Sequence, residues 1–225
     1  MVPWQILDRA EVPGGRGELT LYRRGAEFSI RVDGCELMNS RAYASEDSLS
    51  ALGCARIEGR KRARVLIGGL GMGYSLRTAL QALPNDAQVV IAELVPAVVE
   101  WNRTHFGHLA AHPLRDRRVV LRNEDVGQVI RERSAAFDAI LLDVDNGPDG
   151  LTRASNDWLY GAAGLRAAHA ALRPRGVLGV WSARPDTAFV RRMRAARFEV
   201  EEVVVTARGR GKGAQHVNWL GVRLG

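Results

Sequence analysis

The spacing of apolar and polar residues changes between residues 60 and 64. Before that point the period is two. Glu18–Tyr22 and Glu27–Val32 alternate around Arg23-Arg24-Gly25-Ala26, which predicts a β-hairpin. Asp33-Gly34 is a second turn signal, and Cys35-Glu36-Leu37-Met38 reads as a third short strand. Ser45–Leu52 reads as a short helix with Ser45 as its cap.

From Arg64 onward, short apolar runs alternate with helical patterns. Strands are predicted at Val65–Ile67, Gln88–Ala92, Arg118–Leu121, Phe137–Leu142 and Gly176–Trp181. Helices are predicted between and after them at Tyr74–Leu83, Val95–His105, Val126–Arg133, Asp157–Leu172 and Asp186–Ala196. Phe137–Leu142 is continuously apolar, as a central strand covered on both faces should be. Phe198–Thr206 and His216–Val222 follow, joined by a loop too short to contain a helix, so they should pair antiparallel. The expected fold is α/β: a mostly parallel seven-stranded sheet with an antiparallel last strand, preceded by a small N-terminal β-hairpin region. The expected division is 1–60 for the hairpin region and 61–225 for a Rossmann-like, nucleoside-binding catalytic domain.

Open parallel sheets bind ligands at the carboxyl ends of their strands. The turn Gly68-Gly69-Leu70-Gly71-Met72-Gly73 sits at such an end. Its glycines let the backbone turn tightly and approach a ligand. The Gly69, Gly71, Gly73 spacing is the G-x-G-x-G of methyltransferase-type folds, which bind a nucleoside without a pyrophosphate. Glu93 ends the second strand, 22 residues after Gly71, where an acid accepts ribose hydroxyls. Asp125 follows the third strand at the same edge, placed to meet an adenine amino group or to cap the next helix. The fourth strand delivers Asp143 to that edge, and Asp145, Asp149 and Asp157 follow it. This acidic patch lies in a chain of formal net charge +7. Clustered carboxylates suit a cationic amine and can take the proton it must lose before attack. The bland reading is a loop of turn-forming Asp, Asn, Gly and Pro.

Val65–Arg77, Glu93, Asn123-Glu124-Asp125 and Phe137–Asp143 together resemble the spermidine/spermine synthase family, over about residues 40 to 205. In that family decarboxylated S-adenosylmethionine donates an aminopropyl group to an amine. The resemblance implies that Glu93 binds ribose and Asp125 the adenine amino group. It implies that Asp143 is the catalytic acid/base, with Asp145 near the family's second loop acid. The family carries a Tyr-His/Gln-Glu element ahead of the core, of which this chain shows only Tyr43 and Ser45-Glu46-Asp47. Tyr43, Glu46, Asp149 and Trp158 are the expected acceptor-binding residues. The family's glycine loop has an acid that binds the donor's amine, and here Met72 takes its place. Gly69, Gly71, Met72, Gly73, Glu93 and Asp125 are therefore the expected donor contacts. The donor is decarboxylated S-adenosylmethionine or S-adenosylmethionine itself. Two alternatives remain: an S-adenosylmethionine-dependent methyltransferase acting on a small molecule or RNA, and a non-catalytic nucleoside-binding protein.

Composition adds little. Of 225 residues, 46% are hydrophobic and 25% charged, as in ordinary globular chains. No apolar run is long enough to span a bilayer, and Met1–Ala10 lack the pattern of a signal peptide, so a cytoplasmic protein is expected. Cys35 and Cys54 are too few for a disulfide framework or zinc site. His105, His108 and His112 have metal-like spacing, but Gly107 and Pro113 point to a helix end, and no metal is expected. Basic residues are almost all Arg and scattered without interleaved aromatics, which argues against a nucleic-acid surface without excluding one. The family tendency is a homodimer.

Overall fold

The computed structural model describes residues 2–14, 17–144, 156–209 and 213–224. Four antiparallel strands come first: β1 (Gln5–Glu11), β2 (Glu18–Arg24), β3 (Glu27–Val32) and β4 (Cys35–Asn39), paired in that order. β2 and β3 bury alternate apolar residues such as Leu19, Leu21, Phe28 and Ile30. β1 was not anticipated. It is an edge strand exposed along most of its length, so its sequence has no buried alternation to betray it. A bulge between Ile6 and Asp8 interrupts its register, and the Trp101 indole N–H donates to Asp8 at 2.7 Å.

Seven strands form the second sheet: β5 (Arg64–Gly68), β6 (Gln88–Ala92), β7 (Val119–Arg122), β8 (Phe137–Leu142), β9 (Leu172–Ser182), β10 (Phe198–Thr206) and β11 (Gln215–Arg223). Their order is β10-β11-β9-β8-β5-β6-β7. β5 to β9 are parallel, and β11 runs antiparallel to both β9 and β10. Every residue of β8 is buried, as its continuous apolar run predicts. The chain leaves β5 toward β6 on one side and later returns to place β8 on the other. The carboxyl ends of β5 and β8 therefore form the topological switch point, where open α/β sheets leave a crevice.

The helices are α1 (Ala44–Ala55), α2 (Tyr74–Ala82), α3 (Pro96–Trp101), α4 (Val126–Arg131), α5 (Asn156–Tyr160), α6 (Ala162–Ala171) and α7 (Thr187–Ala195). Two predicted helices are interrupted. After Trp101 the chain widens into a π-helical turn over Asn102–Phe106, and Gly107 at its end packs so close to the Asn102 carbonyl that a Cβ there would collide with it. The helix predicted from Asp157 breaks at Gly161, whose extended backbone separates α5 from α6. α1 falls within residues 1–60 yet packs on β8 and β9 of the large sheet: Leu49 is fully buried and Gly53 leaves no room for a Cβ beside Leu141. Among the described residues, no helix is long and apolar enough to cross a membrane.

Candidate active site

A cavity of about 570 Å³ opens at the switch point, between the small sheet and the strand ends of the large one. Ile30, Leu37 and Met38 wall it from the small sheet. Gly69, Gly71, Glu93, Asp125 and Asp143 wall it from the strand ends. Glu46 of α1 and Trp181 and His216 of β9 and β11 close the other side.

At one end the glycine turn and two acids meet. Gly69 and Gly71 have φ of +86° and +48°, a region costly for residues with a Cβ. At Gly69 a Cβ would also strike the Asp143 carbonyl oxygen, since the chain leaving β8 crosses there and the Asp143 N–H bonds to the Gly68 carbonyl at 2.9 Å. The Glu93 carboxylate is buried beneath the turn. It accepts the N–H of Leu70 and that of Val95, both at 2.9 Å. Burial pushes its pKa up, and these backbone donors oppose the rise. Asn123 donates its side-chain N–H to the Glu93 carbonyl at 2.7 Å and so ties the ends of β6 and β7 together. Asp125 caps α4, accepting the Gly127 N–H at 2.7 Å. A carboxylate oxygen has more than one lone pair, so these bonds leave both acids able to accept from a ligand.

The structure corrects the placement of Met72. Its side chain is 1% exposed and belongs to the apolar core, away from the cavity. Gly73 also turns away, its Cβ position facing Pro113 and Asn102. The turn residue that borders the cavity between the acids is Gly71, and the Met38 thioether fills the space its side chain would take.

At the other end two further acids meet. Asp143 accepts the Ser75 hydroxyl at 2.6 Å. Burial raises its pKa to about 6, with the Ser75 bond opposing. Glu46 accepts the Ser45 hydroxyl at 2.6 Å. Burial and then the charge of Asp143 push Glu46 up to about 8. Ser45 also lies 2.9 Å from Nδ1 of His216, and the Asn218 side chain donates to the Ser45 carbonyl at 3.0 Å. Ser45 is thus not a helix cap. It lies inside the first turn of α1, and the residue preceding the helix, Tyr43, makes no side-chain cap bond.

The remaining expected residues fall elsewhere. Tyr43 stacks on Tyr74 with ring centroids 4.2 Å apart and does not line the cavity. Trp158 receives the Arg131 guanidinium 3.6 Å above its ring and packs beside Gly127, outside the lining. Asp145 and Asp149 lie outside the described residues, as does the side chain of Asp157. Among the described residues no cluster of three His, Cys, Asp or Glu is arranged to bind a metal ion. Sequence reasoning missed Ser75, His216 and Trp181. Ser75 had a signal, being a polar residue on the buried face of a helix that opens directly from the glycine turn.

No curated protein sequence matches the chain. Solved structures do. Spermidine synthase from Thermotoga maritima superposes with a TM-score of 0.78 at 16% identity, covering 97% of this chain and 72% of that one. A spermidine synthase in complex with the transition-state analogue AdoDATO gives 0.77 at 16%, with the same coverage. A probable spermidine synthase from Corynebacterium glutamicum gives 0.65 at 16%, covering 97% and 80%. These likenesses establish the fold. The spermine/spermidine synthase domain model matches residues 49–188, a stretch that contains the glycine turn, Glu93, Asp125 and Asp143. The chain belongs to the spermine/spermidine synthase family and is an aminopropyltransferase-like enzyme.

Proposed function

We propose that the protein transfers an aminopropyl-type group from an S-adenosyl-type donor, decarboxylated S-adenosylmethionine, to a small amine. The observation that carries this reading is that four acids, Glu93, Asp125, Asp143 and Glu46, line one cavity together with Gly69 and Gly71 of the glycine turn. In this reading Glu93 accepts the ribose hydroxyls, Asp125 meets the adenine, and Gly69 and Gly71 admit the nucleoside close to the backbone. Asp143 orients the acceptor amine and takes its proton. Glu46 binds the same cationic substrate. The donor's sulfonium makes the thioether a good leaving group, so holding the amine nitrogen in line with the adjacent carbon supplies much of the rate.

The loop's lack of an acid facing the cavity favours a second reading, in which intact S-adenosylmethionine is the donor and a methyl group moves. Direct competition between the two donors, with product mass as readout, separates them. Calorimetry tests the shared pocket. Methylthioadenosine should bind at micromolar affinity, and Glu93→Ala should weaken it by about ten- to a hundredfold, the loss of a charge-assisted hydrogen bond. No binding by the wild type, together with no effect of Glu93→Ala, would remove both readings.

A further inference from the structure

Ser45 occupies an unusual position for a buried serine. Its hydroxyl touches a cavity acid on one side and a histidine ring on the other, at 2.6 Å to Glu46 Oε2 and 2.9 Å to His216 Nδ1. The contact is built by the fold. His216 and Asn218 project from the same face of β11, and both reach residue 45: His216 meets its hydroxyl, and Asn218 donates to its carbonyl at 3.0 Å. Ser45 and Asn218 are fully buried, while His216 is half-buried and borders the cavity. The Trp181 ring meets His216 edge-on, with centroids 4.8 Å apart, and fixes its orientation.

We infer that Glu46, Ser45 and His216 form a proton relay that carries the proton shed by the acceptor amine from the buried acids to solvent. The inference rests on the transfer reaction proposed above. In that reaction an acceptor ammonium loses one proton to become the nucleophile. Its nitrogen forms the new C–N bond, and the C–S bond breaks with its electron pair going to sulfur. The sulfonium becomes a neutral thioether and the product amine carries the positive charge. One proton is released per turnover: Asp143 takes it from the amine, and Glu46, close enough for the Asp143 charge to raise its pKa, receives it next.

Hydroxyl chemistry suits Ser45 to this task, because it donates one hydrogen bond and accepts others. With Glu46 protonated, the Glu46 O–H donates to Ser45 Oγ and the Ser45 hydroxyl donates to Nδ1 of His216. With Glu46 ionised, the pattern reverses: Nδ1–H donates to Ser45, and Ser45 donates to Glu46. Passing one proton along the chain interconverts the two. Burial lowers the His216 pKa, which favours release of a proton from the ring rather than its retention there. Among the described residues, the other charged groups bordering this cavity are Asp143 at the end of β8, Glu36 of β4, Glu93 and Asp125 beside the glycine turn, and Arg208 of the β10–β11 hairpin. Ser45 and His216 act through Glu46, so they are positioning residues rather than catalytic ones.

Two readouts test the relay, one of which does not need turnover. In nitrogen-labelled protein, the His216 ring resonances should show an inflection that follows the Glu46 titration. Glu46→Gln and Ser45→Ala should abolish it, and Ser45→Thr, which restores a hydroxyl, should retain it. In the transfer assay with 1,4-diaminobutane, Ser45→Ala and His216→Gln should each lower kcat about tenfold with KM unchanged. The double variant should be no worse than either alone, as expected for members of one chain. His216→Gln alters a half-exposed residue and so guards against a folding defect in Ser45→Ala. A His216 titration identical in all variants, or kcat within about twofold of wild type in both single variants, overturns the relay. If the wild type transfers no aminopropyl group, the proposed function fails, and the resonance titration alone decides whether the three groups are coupled.

Discussion

At the end of the cavity proposed for the nucleoside the acids are held by backbone: Glu93 by the N–H groups of Leu70 and Val95, Asp125 by that of Gly127. At the end proposed for the acceptor they are held by hydroxyls: Asp143 by Ser75, Glu46 by Ser45. The difference is chemical. A backbone N–H can only donate, so it favours the ionised carboxylate against the burial that opposes charge. A hydroxyl donates or accepts, so it satisfies a carboxyl in either protonation state. In the proposed reaction the first pair presents acceptors to ribose and base, and the second takes up and releases the acceptor's proton.

The sharpest way to break this comparison is Asp143→Asn. If the ends work separately, transfer should fall by about 10²–10⁴-fold, the usual worth of a general base. Methylthioadenosine affinity, measured by calorimetry, should stay at the wild-type value. An equal loss of affinity would mean that Asp143 belongs to the nucleoside end and that the two regions are one.

Glu46 gives the next largest effect, through stability. Its pKa in the folded chain, about 8, lies above the ordinary value of 4.5. Between those values the folded state binds more protons than the unfolded one, so stability falls as pH rises. The contribution is complete below about pH 4.5 and lost as pH passes through 8. Glu46→Gln removes this dependence. At pH 9 the variant should be the more stable by up to about 5 kcal/mol, the free-energy equivalent of moving a pKa from 4.5 to 8, and should melt roughly 10–20 °C higher. The gap should close toward pH 5. Thermal melts across pH that run parallel for the two proteins would show that Glu46 does not titrate as the acceptor end requires.

How far each end was legible in the sequence follows from how it is built. The nucleoside end is local: a strand, a glycine turn and acids at the ends of the next strands, all within one alternating pattern. The placement of Glu93, Asp125 and Asp143 at one sheet edge was therefore readable, and so was the large sheet with its antiparallel closing strand. The acceptor end is assembled from afar. Ser75 and Asp143 are 68 positions apart, and Ser45 and His216 are 171 apart. No periodicity links them, so Ser45 read as a helix cap and His216 as an ordinary strand residue. Trp158 misled for a similar reason. Its position beside the acidic loop suggested a pocket wall, but its ring lies under Arg131.

The smallest effects concern the glycine turn. Counting along the turn sets Met72 where the family has its donor-binding acid, yet the folded backbone presents Gly71 to the cavity and buries Met72. Met72→Leu should therefore leave donor binding unchanged and cost less than about 1.5 kcal/mol of stability, as volume-conserving core changes do. Gly71→Asp should act where Met72→Leu does not. Position 71 has φ of +48°, which Asp tolerates better than most residues, and its Cβ would meet only the end of the flexible Met38 side chain. In a Met38→Ala background the new carboxylate has room. It should favour decarboxylated S-adenosylmethionine over S-adenosylmethionine by about tenfold, at the low end for a charge-assisted hydrogen bond. Donor competition reads this directly. A preference that shifts with Met72→Leu and ignores Gly71→Asp would restore the sequence register and move the donor's tail away from the cavity described above.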